Sequence, residues 1–396
     1  MNRLDSVDVL RALALIAMVI CHYPIFLSSG EGTDAMLYFL TNHLLGGDFG
    51  ASWFVFLVGL SQVISAKKRG ADQGLNDSRV WIRGTAIFIL GLLFLLIVQG
   101  YEEMWDWDIL TFIGFMTVVL LYCRRVPSWA LLLVCTAVLF TTPLLRSLTD
   151  IAQFYGGQFV SVRWISDFFP NLLFDPLKDY DGGPSFLNNF IGFFLTGQFP
   201  LLPWIIYPII GFIIGRRLTE NRLGSDTPFL IIIGIMFAFM GMVTAYAGSI
   251  TPPFFVQKEH ITPLSFYPLS FSMNLFLLGV VLILFTVLWN IFDRQPGKTA
   301  KPGIFLTYCR QISKYSLTIY ITHFALFFIP LRLIHLSTGK YYLRELTSTP
   351  VALALAVLLV ILYYPILKLW DKAHGKYSFE WLLNQIISVM SRQRST

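Results

Sequence analysis

Residues 227–257 read TPFLIIIGIMFAFMGMVTAYAGSITPPFFVQ, a run of 31 residues without a charged side chain. A helix needs roughly 20 predominantly apolar residues to cross the hydrocarbon core of a bilayer, which is about 30 Å thick. This run is therefore long enough to span a membrane. Nine further charge-free runs occur, so we predict ten transmembrane helices, the others being Ala12–Gly30, Phe49–Ala66, Gly84–Tyr101, Ile109–Cys123, Val126–Leu145, Gly182–Gly215, Ile261–Phe292, Tyr315–Leu331 and Leu346–Leu367.

The composition excludes a soluble protein. Charged residues make up 13% of the chain and hydrophobic residues 56%, whereas a soluble domain carries roughly 25% charged residues. The apolar runs show no alternation with polar residues, which favours helices over the strands of a membrane barrel. We predict an all-α integral membrane protein. The length of Gly182–Gly215 leaves an eleventh span or a re-entrant segment open.

The distribution of basic residues predicts the orientation, because Lys and Arg are retained on the cytoplasmic side of a membrane. With a cytoplasmic N-terminus and ten spans, 22 of the 29 Lys and Arg lie inside, and 14 of the 23 Asp and Glu lie outside. We therefore predict a multi-pass protein with both termini in the cytoplasm, located in the inner membrane of a bacterium.

The chain reads as one membrane domain, residues 1–377, because no linker or soluble module interrupts the spans. The tail, residues 378–396, has the apolar spacing of an amphipathic helix lying on the cytoplasmic membrane surface. The four cysteines form no C-x-x-C pair, so we predict neither disulfides nor a metal site. We expect the protein to be surrounded by membrane lipid and not to bind nucleic acid. Whether it forms a homodimer is left open.

Ionisable side chains inside lipid are costly, so each needs a partner or a function. Asp8 and Arg11 are three residues apart on one face of the first helix, where they can pair. The pair either anchors the helix or helps to hold an anionic ligand. Arg83, at the inner end of the third span, either reaches the membrane surface or contacts the same ligand.

Two histidines and a carboxylate flank the connection between the first two spans. His22 lies eleven residues beyond Arg11, about 16 Å further along the helix, and His43 and Asp48 precede the second span. Because this outer connection is short, we expect the three side chains to meet at one site. A histidine held by a carboxylate is typical of general base catalysis. Taken singly, each histidine can instead be an ordinary hydrogen-bonded residue.

Two further residues keep two interpretations each. His323 lies in the ninth span, roughly 12 Å from its cytoplasmic end, where it either lines a ligand pathway or bonds to a neighbouring helix. Asp108, at the start of the fourth span, either orients a substrate or is solvated.

Five stretches, in this order, resemble the transmembrane acyltransferase superfamily that includes heparan-α-glucosaminide N-acetyltransferase. The first, Asp5–His22, is similar to the family pattern D-x-L-R-G-(L/I)-A, an apolar run and then H or N, although Ala12 replaces the usual glycine. In the second, Asp48–Gly59 (DFGASWFVFLVG), Ser52 stands where proline is usual. The remaining three stretches are Asp108–Gly114 (DILTFIG), Phe199–Arg216 (FPLLPWIIYPIIGFIIGR) and Ser316–His323 (SLTIYITH).

The resemblance implies a membrane acyltransferase that moves an acyl group, expected to be acetyl, from cytoplasmic acyl-CoA to a sugar amine or hydroxyl at the outer leaflet or exterior face. His22 or His43 would be the catalytic base, with Asp48 fixing the proton of one of them. Asp108 would contact the saccharide acceptor. The residues we expect to bind the acyl-CoA donor are Arg11, Arg83, Trp53, Trp204 and His323.

Two other classes of protein remain open. A transporter or flippase with a polar intramembrane site would move its substrate without consuming a thioester. A sensor or scaffold would use the same ionisable residues for structure alone.

Overall fold

The structure is a computed structural model of the 396-residue chain. It describes residues 3–41, 47–69, 73–98, 107–147, 149–150, 161–162, 192–250, 264–266, 268–294, 303–339 and 346–392. Within these ranges the chain is almost entirely helical, and the β-structure found there is one antiparallel pair, β1 (Thr149–Asp150) with β2 (Ser161–Val162).

The helices are numbered along the chain. They are α1 (Asp5–Leu27), α2 (Ala35–Phe39), α3 (Gly47–Arg69), α4 (Gln73–Val98), α5 (Ile109–Cys123), α6 (Ser128–Ser147), α7 (Leu201–Trp204), α8 (Ile206–Thr219), α9 (Leu223–Ile250), α10 (Phe271–Phe292), α11 (Ile304–Lys314), α12 (Ser316–Thr338), α13 (Thr349–Lys372) and α14 (Phe379–Arg392).

In the described residues, nine helical segments are long and apolar enough to cross a membrane, which confirms the prediction of an all-α integral membrane protein. They correspond to nine of the ten predicted runs. The tenth, α5, has the predicted bounds but only 15 residues, which rise about 22 Å. The end of the long run Gly182–Gly215 forms α7 and α8, and its residues 182–191 lie outside the described part.

Large apolar side chains cover the outer surface of several spans. On α9, Phe229, Phe239 and Tyr246 are 63%, 67% and 71% exposed. A continuous exposed apolar surface is unfavourable in water, whereas lipid tails solvate it. The exposed side chains therefore support the membrane assignment independently of helix length.

The chain divides into two compact units, residues 1–57 with 283–396 and residues 58–282. In the first unit, α1 contacts α11, α12 and α13. The start of α3 also packs against α1, because a Cβ on Gly50 would lie 2.8 Å from the carbonyl oxygen of Ala14. The helix carrying His22 is thus central to this unit.

In the second unit, glycines allow helix backbones to approach closely. A Cβ on Gly84 of α4 would lie 2.8 Å from the carbonyl oxygen of Gly114 of α5. Gly59 of α3 faces the backbone of α8 in the same way, 2.7 Å from the amide nitrogen of Phe212. Small residues are typical of such contacts between membrane helices, where packing replaces the hydrophobic driving force.

Candidate functional site

The N-terminal end of α1 is held by a carboxylate from the end of α10. The backbone N–H groups of Asp5 and Ser6 both donate to Asp293, each at 2.9 Å. These amides have no partner within the helix. Burial raises the pKa of the Asp293 carboxyl above its usual value, and the hydrogen bonds from Ser6 and Asp5 oppose the shift. Asp293 thus supplies the cap that the residue before α1, Leu4, does not.

An ion pair and a hydrogen bond join the same end of α1 to α11. Arg310 donates to both carboxylate oxygens of Asp5, at 2.7 and 2.9 Å, and these hydrogen bonds raise the pKa of the guanidinium. Arg3 pairs with Asp8, and Arg11 donates to the Ser313 hydroxyl at 2.8 Å. Ser313, the partner of Arg11, lies on a different helix, so the three-residue spacing of Asp8 and Arg11 could not indicate it.

The N-terminus of α12 is capped by Glu380 of the tail helix α14. Its carboxylate accepts from the amide of Leu317 at 2.6 Å, from the amide of Thr318 at 3.1 Å, and from the Thr318 hydroxyl. A carboxylate at this position also interacts favourably with the helix dipole. The predicted amphipathic tail is therefore attached to the helix that carries His323.

We expect Glu380→Ala to reduce the free energy of unfolding by about 1 kcal/mol, the usual cost of losing a helix cap. The thermal melting temperature of the detergent-solubilised protein measures the effect. Asn384→Ala, an exposed substitution on the same helix, is the matched control and should leave the melting temperature unchanged. Equal melting of the two variants would show that the cap does not stabilise α12.

At the other end of α1, His22 meets His323 of α12. The Nδ1 atom of His22 lies 3.0 Å from Nε2 of His323, and Nδ1 of His323 lies 3.1 Å from the backbone carbonyl oxygen of Ile319. A hydrogen bond to a neighbouring helix was one of the two interpretations of His323, and the structure contains such a bond. The bonding partner is the predicted catalytic histidine itself.

The two imidazoles differ in their access to the surroundings. His22 is partly exposed, whereas His323 is completely buried. Phe324 packs against both, with ring centroids 4.7 Å from His22 and 4.6 Å from His323, and Phe26 lies edge-on to His22 at 5.8 Å. His22 can therefore be approached, while the aromatic rings and its burial protect His323.

The predicted meeting of His22, His43 and Asp48 stays a prediction. His43 lies outside the described residues, and for Asp48 only the backbone, in the first turn of α3, is described. That turn does lie against α1, because Gly50 contacts the Ala14–Met18 segment. Trp53, one turn later, has a buried Nε1 donor for which the described residues supply no acceptor.

The other predicted residues lie in the second unit. Asp108 is only 6% exposed, and its carboxylate caps α5 by accepting from the amide of Leu110 at 3.1 Å. Burial excludes the solvated interpretation. Trp204 is completely buried against Phe199 and Tyr207, and its Nε1 also has no acceptor among the described residues. Arg83 is exposed on α4.

The helix that carries His22 lies in a region that matches a known family model. Residues 3–175 match the family model described as heparan-alpha-glucosaminide N-acetyltransferase, catalytic. The chain resembles that catalytic domain. The matched residues include His22 and Asp108 but neither Trp204 nor His323. The match supports a membrane acetyltransferase in general terms, and a search of the curated proteins found no match.

Proposed function

We propose that this protein is a membrane acyltransferase that moves an acetyl group from acetyl-CoA to an amine or hydroxyl of a saccharide, with His22 as the base. The observation that carries the proposal is a partly exposed membrane histidine, His22, inside the segment that matches the acetyltransferase model and bonded through its second nitrogen. Histidine is the usual general base in proteins because its neutral form is available near neutral pH.

In the proposed reaction, His22 removes the proton from the acceptor amine or hydroxyl as that group attacks the thioester carbonyl. The new C–N or C–O bond forms and the C–S bond breaks. His22 then returns the proton to the leaving thiolate, so that free CoA thiol is released. A general base of this kind contributes about 10²–10⁴-fold to the rate.

The arrangement of α1 supports an extended donor along one face. Arg11 and His22 are eleven residues apart, close to three turns and about 16 Å at 3.6 residues per turn. They therefore lie on one face, Arg11 at the charged end of the helix. A guanidinium binds phosphate in bidentate fashion, so the proposal directs the CoA phosphates to Arg11 and the thioester to His22.

This arrangement gives α1 an orientation. Since acetyl-CoA is a cytoplasmic donor, the charged end of α1 would face the cytoplasm, as the distribution of Lys and Arg also predicts. The Nε1 donor of Trp53, which has no acceptor among the described residues, supports a ligand with carbonyl acceptors, such as the amides of the pantetheine arm. Arg83, Trp204, His43, Asp48 and Asp108 keep their predicted roles as proposals.

We expect acetyl-CoA to raise the melting temperature of the purified protein with increasing concentration. A ligand that binds only the native state stabilises it by about 2.7 kcal/mol at a concentration 100 times its Kd. Acetyl-pantetheine, which lacks the nucleotide phosphates, should stabilise less, and Arg11→Gln should reduce the difference between the two ligands.

The same purified protein distinguishes an acyltransferase from a transporter. Release of CoA thiol that depends on an added amino sugar or glycoside supports acyl transfer. No stabilisation by any acyl-CoA, together with movement of a solute into proteoliposomes, would instead identify a transporter.

A further inference from the structure

The hydrogen bonds of His323 determine which imidazole nitrogens carry hydrogen. Its Nδ1 faces the carbonyl oxygen of Ile319 at 3.1 Å. A carbonyl oxygen only accepts, so Nδ1 of His323 must be protonated. In a neutral imidazole the other nitrogen, Nε2, is then an acceptor, and the atom that meets it at 3.0 Å is Nδ1 of His22. His22 is consequently protonated on Nδ1 and carries a lone pair on Nε2.

The relative position of the two rings supports a real hydrogen bond. Their planes differ by only 15°, and their centroids are 5.3 Å apart. With the nearest nitrogens at 3.0 Å, this separation is close to the largest value that two such rings allow. The rings therefore meet edge to edge in nearly one plane, with the Nδ1–H bond of His22 directed at the lone pair of His323, rather than stacking face to face.

We propose that His323 is a positioning residue that holds His22 in the Nδ1-protonated form and so presents Nε2 of His22 as the base. This inference rests on the proposed function, because Nε2 of His22 is a catalytic base only if the protein transfers an acyl group. The proton on one histidine nitrogen is set by the hydrogen bond of the other. Because His323 is fully buried, water does not compete for its Nε2.

The same contact helps after proton transfer. When Nε2 of His22 accepts a proton, the ring becomes cationic and its Nδ1–H becomes a stronger donor. The Nε2 atom of His323 then accepts a charge-assisted hydrogen bond, and the Ile319 carbonyl polarises His323 in turn. This chain of two rings and a carbonyl does what a carboxylate does behind the histidine of a serine protease, without a buried charge in the resting state.

Nitrogen-15 NMR of protein with ¹⁵N-labelled histidine rings, in lipid nanodiscs, tests the proton assignment directly. The His22 resonances are identified as those missing from His22→Ala. We expect a protonated Nδ1 and an unprotonated Nε2. The opposite pattern, with hydrogen on Nε2, would overturn the proposal even in an active enzyme.

Two variants of His323 test whether this residue controls the protonated form of His22 and the rate of acyl transfer. His323→Phe removes the acceptor, so we expect His22 to lose its Nδ1-protonated form and kcat to fall by about 10²–10⁴-fold with little change in the KM for acetyl-CoA. His323→Gln can offer its side-chain oxygen near the former Nε2 position and should recover at least tenfold of that loss. Thr322→Val, which removes the neighbouring hydrogen bond to Tyr363, is the control and should leave the His22 resonances unchanged.

The outcomes separate this proposal from the proposed function. If His323→Phe and His323→Gln both retain the wild-type kcat and the wild-type His22 resonances, the positioning role is wrong. If His323→Phe does not fold, the His22 resonances of the wild type and the kcat of His323→Gln still test the positioning role. Full activity of His22→Ala would contradict the proposed function instead, whatever form His22 takes.

Discussion

His22→Ala is expected to lower the rate of acetyl transfer by about 10²–10⁴-fold, the contribution of a general base, while the variant still folds. His22 is partly exposed, so the space left by its imidazole opens to the surroundings. The measurement is acetyl transfer from acetyl-CoA by protein in nanodiscs, with the melting temperature recorded in parallel. Stabilisation by acetyl-CoA should persist, because the phosphates are assigned to Arg11 at the far end of α1.

The matched control is a histidine with no part in the reaction. His374 is exposed and has a φ of 53°, a left-handed conformation that asparagine tolerates. His374→Asn also removes an imidazole and should keep the wild-type rate. If His22→Ala and His374→Asn were equally active, His22 would not be the base.

The second large effect concerns the packing of α3 on α8. In Gly59→Val, the new Cβ would meet the amide nitrogen of Phe212 at 2.7 Å and the carbonyl carbon of Pro208 at the same distance. Both contacts are with backbone, so the helices must separate. Overpacking usually costs about 1–3 kcal/mol and occasionally more. We expect most of the variant to be lost as aggregate on size-exclusion chromatography.

Gly303→Ala provides the comparison, because a Cβ there meets no atom of the described residues within 4 Å. It should elute and melt like the wild type. If Gly59→Val did so too, α3 and α8 would not approach as closely as described.

The spans could be predicted from the sequence because the bilayer imposes a length on them. A charge-free run of about 20 residues or more satisfies that requirement without any knowledge of its neighbours. Even the shorter run Ile109–Cys123 has its helix bounds in the sequence. The capping role of Asp108 was also visible, since an aspartate directly before an apolar run is a typical helix start. That pattern favours a helix cap over a solvated carboxylate.

The contact of His22 with His323 could not be predicted, because it joins residues 301 positions apart. The sequence indicates that each lies within a span, but packing decides which helices become neighbours. The contact of Asp5 with Arg310, 305 positions away, was missed for the same reason. In physical terms, membrane insertion is encoded locally, whereas the arrangement of the site depends on how the inserted helices associate.

Acyl transfer at His22 requires the thioester of the donor to reach this side chain. An experimental structure with a non-hydrolysable acetyl-CoA analogue tests it most directly. We expect phosphate density at Arg11 and the acyl carbonyl close to Nε2 of His22, with room for the acceptor between them at reacting distances of about 3–3.5 Å. An acyl group bound on a different helix face, out of reach of His22, would contradict it.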